Sequence, residues 1–389
     1  MARHQLVDLS PRDPSVVRQG LSDQSPVAGR RAYIDWARGV AVLIMILAHT
    51  SDAWVMPRAR KAALYAHVTI LGGFAAPLFL FLAGLALVLA AERALMRTGN
   101  RRAAIGSIVG RGAEIFILAF LFRIQAFVLS PGGWAVTIFR VDILNVMGPA
   151  IAVSGLLWGI SRTRSTAVLA QSAAAVTLAM LTPVVRVAGW VAWLPTWGQW
   201  YLRPSGDNTT FTLFPWAGFV CAGAACGSLI ASARNRREER RLMAGFGVAA
   251  VVLVAAGFYT ATLPSIYRES SFWTSSPTFF AIRIGVMLGA LVLLFGLQQG
   301  RTMTGAMRWL ADAVERFGRN SLFVYWIHVE LVYGYTTWLI RHRLPLWGFA
   351  VAYLIFVAAM YKAIDVRDWA VTTWRMSKFG KKPTPVAVA

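Results

Sequence analysis

Charged residues are scarce in this chain. They account for 14% of its 389 residues, whereas 57% are hydrophobic, and soluble domains usually carry about 25% charged residues. So few charges cannot cover the surface of a soluble protein of this length, and lipid must cover much of it. The composition therefore predicts an all-α fold, a polytopic bundle of transmembrane helices, and excludes a series of separate soluble domains.

Acidic residues are fewer than basic ones, with 17 Asp and Glu against 39 Lys and Arg and a net charge of +22. The basic residues form short clusters between apolar runs, as at 93–102 and 234–241, which is the pattern of cytoplasmic loops. No nucleic-acid module accompanies them, so we expect no nucleic acid partner. The only two cysteines, Cys221 and Cys226, share one apolar run, which favours packing over a disulfide or a metal site.

About ten segments are long and apolar enough to cross a membrane. They are residues 36–56, 68–91, 112–130, 141–160, 165–187, 211–233, 242–262, 277–297, 320–340 and 346–364. If both termini are cytoplasmic, the inner segments contain 28 of the 39 Lys and Arg residues, which supports this orientation. We expect a disordered cytoplasmic tail over 1–30, which has no signal-peptide core, a transmembrane domain over 31–365, and a basic cytoplasmic tail over 366–389.

Three segments outside the spans have distinctive patterns. The outer loops near 188–210 and 263–276 are rich in aromatic residues, which is typical of an interfacial belt or of a platform for a sugar or lipid headgroup. Residues 305–319 have helical apolar spacing and are predicted to lie along the cytoplasmic interface. In 72–84, small residues predict close helix packing, and Pro77 predicts a local kink.

Ionisable residues inside the spans are costly and are therefore candidate functional residues. They are His49, Glu114, Arg123, Asp142, Arg283, His328 and Glu330. His49 is the strongest candidate, because a neutral imidazole can exchange protons near neutral pH. Asp52 follows it by three residues and could hydrogen-bond the imidazole. The alternative is a buried histidine that only bridges two helices.

Other polar residues allow a functional and a structural interpretation. Asp35 and Arg38 form either a surface ion pair or part of an anion site. His67 begins the second span on the side of His49, so the two could share a cavity, although exposed loop histidines are usually incidental. His328 shares a helical face with Tyr325 and either points into the bundle functionally or bridges helices.

Several motifs follow one another in a characteristic order. IDWARGVAVLIMILAH (34–49) and FAAPLFLFLAG (74–84) come first, followed by RVDILNVMG (140–148), FPWAGFVCAG (214–223), FWTSSPTF (272–279) and FGRNSLFVYWIH (317–328). Together they resemble the transmembrane acyltransferases related to heparan-α-glucosaminide N-acetyltransferase. The first-span histidine is also similar to that of the broader acyltransferase-3 superfamily.

The resemblance implies transfer of an acetyl group from cytoplasmic acetyl-CoA, the acyl donor, to a sugar or glycan on the far side. It implies that His49 and His67 are catalytic, and Asp52 is expected to assist them. The lysosomal member of this family has Asn at the position of His49, and the number of residues between the two catalytic positions is larger in this chain. The sequence therefore leaves open whether His49 or His67 is the base. Direct transfer and an acetyl-histidine intermediate both stay open as well.

The remaining candidates follow from the chemistry of the two substrates. Arg38, Arg111 and the 93–102 cluster are predicted to bind the phosphates of CoA at a basic cytoplasmic opening, and Asp35 is predicted to belong to the same CoA site beside Arg38. Candidate acceptor-binding residues are Asp142, Asn145, Trp216, Trp273, Asn320 and His328, of which Asn145 and Asn320 are also candidate oxyanion donors. We expect no metal, contact with membrane lipid and a location in a bacterial inner membrane. A homodimer is the candidate assembly, although the sequence leaves the oligomeric state open. The rival hypothesis is a proton-coupled transporter of a small or lipid-linked substrate.

Overall fold

The computed structural model describes residues 31–129, 135–300 and 304–379. Within these ranges the chain forms thirteen α-helices and no β-strand. The helices are α1 (Ala32–Trp54), α2 (Ala63–Gly72), α3 (Ala75–Thr98), α4 (Arg101–Leu129), α5 (Ile143–Ile160), α6 (Arg164–Val187), α7 (Thr196–Gln199), α8 (Leu213–Ser232), α9 (Arg236–Ala261), α10 (Pro277–Gln299), α11 (Gly305–Arg319), α12 (Ser321–Tyr333) and α13 (Leu346–Phe379).

The all-α polytopic architecture is confirmed. Within the described ranges, nine helical segments are long and apolar enough to cross a membrane, with α2 and α3 together forming one of them. The tenth predicted span, 320–340, is divided between the short helix α12 and a 3-10 segment, Tyr335–Ile340. At about 1.5 Å per residue, the 13 residues of α12 extend about 20 Å, which is less than the hydrocarbon thickness of about 30 Å.

The second span is interrupted at Gly73 and Phe74, between α2 and α3. The sequence predicted a kink at Pro77, and this prediction is wrong, because the helix is not bent there. Pro77 lies in the first turn of α3, where a backbone N–H has no intrahelical acceptor, so proline fits without bending the helix. The interruption comes before it, at Gly73 and Phe74.

The described chain also bears on the two expected tails. Helix α13 continues to Phe379, so residues 366–379 of the segment expected as a basic tail are helical. The expected disordered tail, 1–30, lies outside the described residues. The expectation that both tails are cytoplasmic remains a prediction.

Glycines allow the central helices to approach closely, as is common in membrane bundles. In α3, a Cβ at Gly84 would lie 1.9 Å from the carbonyl oxygen of Val220, and in α8 a Cβ at Gly223 would lie 1.8 Å from that of Phe81. Any side chain at either position would push the two helices apart. This crossing lies in the largest buried apolar cluster and makes α3 and α8 the centre of the bundle.

Helix α1 is fixed at its start by a buried polar contact. The Arg31 guanidinium forms an ion pair with Glu239 of α9 at 2.7 Å, and the Tyr33 hydroxyl donates to the same carboxylate at 3.1 Å. The amphipathic helix α11 packs beside α1, with Phe317 buried and Trp309 exposed. Cys221 and Cys226 are buried and free, in agreement with their predicted packing role.

Candidate active site

A cavity of about 1240 Å³ runs between the helices. Helix α4 lines it from Ala104 to Phe127, a distance of about 35 Å at 1.5 Å per residue, which matches the thickness of a bilayer core. We call the end lined by Arg38, Arg111 and Arg319 the basic end. The opposite end, lined by His49, Asp52, Asp142, Trp216, Arg283 and Tyr333, is called the histidine end.

At the histidine end, two imidazoles from different helices are hydrogen-bonded. Nδ1 of His49 in α1 lies 2.9 Å from Nε2 of His328 in α12, and the two ring planes are nearly parallel, with an angle of 4° between them and centroids 5.0 Å apart. His328 is fully buried, whereas His49 lines the cavity. The sequence proposed each histidine separately, and the structure brings them together as a pair.

The hydrogen bonds assign a tautomer to each ring. Nδ1 of His328 lies 2.8 Å from the carbonyl oxygen of Val324, and because a carbonyl only accepts, this nitrogen carries the hydrogen. In the neutral ring, Nε2 of His328 is then an acceptor, and Nδ1–H of His49 donates to it. The lone pair of His49 Nε2 is left free, so this nitrogen can take a proton from a ligand.

Asp52 has partners other than the expected one. Its carboxylate accepts a hydrogen bond from the Tyr333 hydroxyl at 3.0 Å and lies 4.0 Å from an Arg60 nitrogen. The Tyr333 ring in turn packs edge-on against His49, with centroids 5.7 Å apart. His328 therefore occupies the hydrogen-bonding position that the i, i+3 spacing suggested for Asp52, and Asp52 is linked to His49 through Tyr333.

Asp142 and Asn145 together cap the start of α5. An Asp142 carboxylate oxygen accepts from the Ile143 amide at 2.8 Å, and Asn145 accepts from the Asp142 amide at 3.0 Å. Asp142 also forms an ion pair with Arg123 of α4. Asp142 and Arg123 line the cavity, whereas Asn145 is fully buried. The capping box therefore fixes a carboxylate at the histidine end.

The basic end carries ion pairs at helix surfaces. Arg38 lies 3.3 Å from Asp35, which is buried, and Arg111 lies 2.9 Å from Glu114. Arg319 lies 2.8 Å from Glu315. The three arginines line the cavity, so this end presents guanidinium groups that suit phosphate oxygens.

Besides the buried residues Asp35, Asn145 and His328, three residues predicted for the site do not line this cavity. His67 is exposed on α2, and its Nδ1 bonds the Ala63 carbonyl at 2.9 Å. Trp273 is 53% exposed in the loop before α10. The Asn320 amide donates to the Arg316 carbonyl at 2.9 Å and accepts from Arg367 at 2.7 Å, near the start of α12. Their functional roles stay predictions, and the structure does not bring them to the histidine pair.

The sequence did not identify Tyr333 or Arg319 as site residues. Each ends a helix, and no spacing rule indicated that its side chain faces the cavity. Arg283 was recognised as a costly charge inside a span but was assigned no role. Within the described ranges, no group of three or more His, Cys, Asp or Glu side chains is arranged to hold a metal ion.

The fold and the site define a multi-pass membrane protein with a hydrogen-bonded histidine pair at one end of its central cavity. A family model described as heparan-alpha-glucosaminide N-acetyltransferase, catalytic, matches residues 30–260, more than half of the chain. The chain belongs to this family of membrane acetyltransferases. The match includes His49, Asp142 and Trp216 and ends before His328. A comparison with curated proteins finds no matching relative.

Proposed function

We propose that the protein transfers an acetyl group from acetyl-CoA, bound at the basic end, to a hydroxyl or amine of a sugar or glycan at the histidine end. The observation that carries this proposal is the free Nε2 of His49 in a cavity that extends to Arg38 and Arg111. Family membership supports acetyl transfer. The cavity supports the use of two substrates that approach from opposite ends.

The basic end suits the donor because CoA carries several phosphates. Arg38, Arg111 and Arg319 offer planar donor groups to phosphate oxygens. Each of them lies near a carboxylate, which keeps it in place. Asp35 then acts as the positioning group for Arg38. The narrow acyl arm of CoA would extend along α4 toward His49.

His49 is the general base in this proposal. Its Nε2 takes the proton of the acceptor hydroxyl or amine while the acceptor oxygen or nitrogen bonds to the thioester carbonyl carbon. The C–S bond then breaks, and the CoA sulfur receives the proton from the His49 imidazolium. The products are the acetylated acceptor and CoA thiol, so atoms and charge balance without a further reactant.

His328 stabilises the protonated state of His49. Its Nε2 accepts from His49 Nδ1–H, and a hydrogen bond from a charged donor is stronger than one from a neutral donor. The contact therefore strengthens when His49 accepts a proton. Asp52 acts at longer range, because its carboxylate orients Tyr333 beside the same imidazole.

The acceptor would contact the remaining groups at the histidine end. Asp142 can accept from a sugar hydroxyl or ammonium group, and Trp216 offers an aromatic face in the cavity wall. We retain the predicted roles of Asn145, Trp273 and Asn320 as proposals based on the sequence alone. The catalytic role of His67 is implied only by the family resemblance, and its exposed position argues against it. The proposed location is a multi-pass position in a bacterial inner membrane, with the basic end toward the cytoplasm.

Purified protein in detergent, incubated with acetyl-CoA labelled in the acetyl group and a panel of amino sugars, tests this function. We expect labelled sugar and free CoA thiol in equal amounts. A proton-coupled transporter is the second candidate, because a cavity of this length could also carry a solute. That function predicts solute uptake into vesicles and no loss of acetyl-CoA, and this result would exclude the enzyme.

A further inference from the structure

A small groove lies where α3, α5 and α8 end and where α4 and α6 begin. Its volume is about 150 Å³, well below the roughly 300–1,000 Å³ of sites that enclose a drug-sized molecule. Three arginines line it, Arg101, Arg162 and Arg164, and we call it the arginine groove. Its size and charge suit one small anionic group, such as a phosphate.

Arg101 forms a fixed wall of the arginine groove. Its Nε donates to the Gly159 carbonyl at 3.0 Å, and its Nη2 donates to the Trp158 carbonyl at 2.8 Å. The centre of the guanidinium also lies 4.7 Å from the centroid of the Trp158 ring. Arg101 thus satisfies carbonyl groups at the end of α5 that have no intrahelical donor, and it holds α4 against α5.

Arg162 and Arg164 differ from Arg101, because both are exposed. Among the described residues, neither guanidinium has a carboxylate or a hydrogen-bond partner. Glu92 is the only acidic residue in the described lining of the groove, and its carboxylate accepts from the Trp158 indole at 3.1 Å. Three guanidinium groups and one carboxylate leave an excess of positive charge, which an anionic ligand would neutralise.

Exposed apolar residues border the arginine groove. Ile160, two positions before Arg162, is 73% exposed, and Leu169, five positions after Arg164, is 70% exposed. In a multi-pass membrane protein, such side chains are covered by the acyl chains of lipids. Basic pockets between transmembrane helices, next to acyl chains, are typical binding sites for the headgroups of anionic lipids.

The arginine groove is separate from the proposed donor site. The sequence grouped Arg101 with the 93–102 cluster that was predicted to bind CoA, but no arginine of that cluster is part of the described lining of the central cavity. On α3, Ala94 lines the central cavity, whereas Leu95 lines the groove. The groove therefore opens on a different face of α3 from the cavity.

We propose that the arginine groove binds the phosphate of an anionic membrane lipid. Arg162 and Arg164 donate to the phosphate oxygens, which guanidinium groups suit, and the acyl chains lie along Ile160 and Leu169. The bound lipid holds the end of α5 beside the start of α6. This site goes beyond the proposed acetyl transfer and does not depend on it.

Three probes distinguish an anionic lipid from other sources of phosphate. They are phosphatidylglycerol, phosphatidylcholine with the same acyl chains, whose choline offsets the phosphate charge, and glycerophosphoglycerol, the phosphatidylglycerol headgroup without acyl chains. Native mass spectrometry of the full-length protein in detergent gives the number of bound molecules and the Kd for each probe. We expect one phosphatidylglycerol that binds at least about tenfold more tightly than either of the other two probes.

The double variant Arg162→Gln/Arg164→Gln should bind phosphatidylglycerol about thirtyfold more weakly, because each arginine near an anionic lipid contributes about fivefold. Arg236→Gln/Arg237→Gln is the matched control. It removes the same charge from exposed positions at the start of α9, on the side also predicted to be cytoplasmic, and neither residue lines the groove. Its Kd should stay within about threefold of wild type.

Equal binding of phosphatidylglycerol and phosphatidylcholine, or an equal loss in both double variants, would indicate only general attraction to basic residues and would overturn the inference. Binding of glycerophosphoglycerol as tight as that of the lipid would identify a soluble phosphate ligand instead. A raised Kd for acetyl-CoA in lipid-free Arg162→Gln/Arg164→Gln would assign the groove to the donor and would also overturn the inference. Size-exclusion profiles show whether each variant is folded.

Discussion

The two ends of the cavity hold their polar groups in different ways. At the histidine end, His49 is fixed by His328, and His328 is fixed in turn by a backbone carbonyl. At the basic end, Arg38, Arg111 and Arg319 pair with carboxylates at neighbouring positions on helix surfaces. One end has a single hydrogen-bonded arrangement, whereas the other has several similar charges, each in an ion pair on its own helix.

This difference indicates a division of roles. Proton transfer requires one nitrogen in one tautomer, which a chain of directional hydrogen bonds provides. Binding of a phosphate-rich ligand tolerates small shifts, and long arginine side chains can follow it. Variants at the histidine end should therefore lower kcat, whereas variants at the basic end should raise KM for acetyl-CoA.

The largest effect should come from His49→Ala. Loss of a general base typically lowers the rate by about 10²–10⁴-fold, and we expect kcat to fall in that range. Binding of acetyl-CoA, measured by isothermal titration, should change little because the basic end is intact. Acetyl transfer within about threefold of wild type would contradict the assignment of His49 as the base.

His328→Ala should lower kcat by about ten- to a hundredfold, since a hydrogen bond to a charged group contributes about 1.5–3 kcal/mol. His328→Gln offers an oxygen that can accept from His49 Nδ1–H, so it should recover part of this loss. The comparison of the two variants uses steady-state kinetics with equal amounts of monodisperse protein. If Gln and Ala behave alike, His328 has only a packing role.

Arg38→Gln should raise KM for acetyl-CoA by about tenfold and leave kcat within about twofold, because one charged contact to a phosphate is lost. Arg237→Gln, at an exposed position at the start of α9 that does not line the cavity, is the matched control and should behave as wild type. Loss of kcat without any change in KM in Arg38→Gln would place the donor elsewhere.

His67→Ala should have the smallest effect. The family resemblance assigns His67 a catalytic role, whereas the structure places it on the exposed side of α2, bonded to Ala63. From this geometry we expect kcat within about threefold of wild type. A loss comparable to that of His49→Ala would support the role implied by the resemblance and require α2 to move toward the cavity.

Much of the fold could be predicted from the sequence because membrane spans have a strong composition signal. In the part of the chain that the structure describes, nine long apolar helical segments lie where hydrophobic runs indicated them. The exception is α12, which ends at Tyr333 because Gly334 adopts an extended backbone conformation. Hydropathy alone does not detect such a local change of backbone conformation.

Less of the candidate site could be predicted from the sequence. His49 and His328 were each identified by their cost inside a span, but they are 279 positions apart, and no spacing rule joins residues so distant. Asp52 was paired with His49 because the two are neighbours on one helix, whereas tertiary packing brought His328 and Tyr333 to those positions. Local spacing identified the candidate residues, but only the packing of α1 against α12 identified the hydrogen-bonding partner of His49.

The central claim is that the donor and the acceptor meet from opposite ends of one cavity. Protein reconstituted in vesicles, with its orientation determined by protease access to an N-terminal tag, tests this claim when acetyl-CoA is outside and a glycan acceptor is trapped inside. We predict acetylated acceptor inside only those vesicles whose Arg38 end faces the acetyl-CoA. Acetylation that occurs only when both substrates are on the same side would contradict the account.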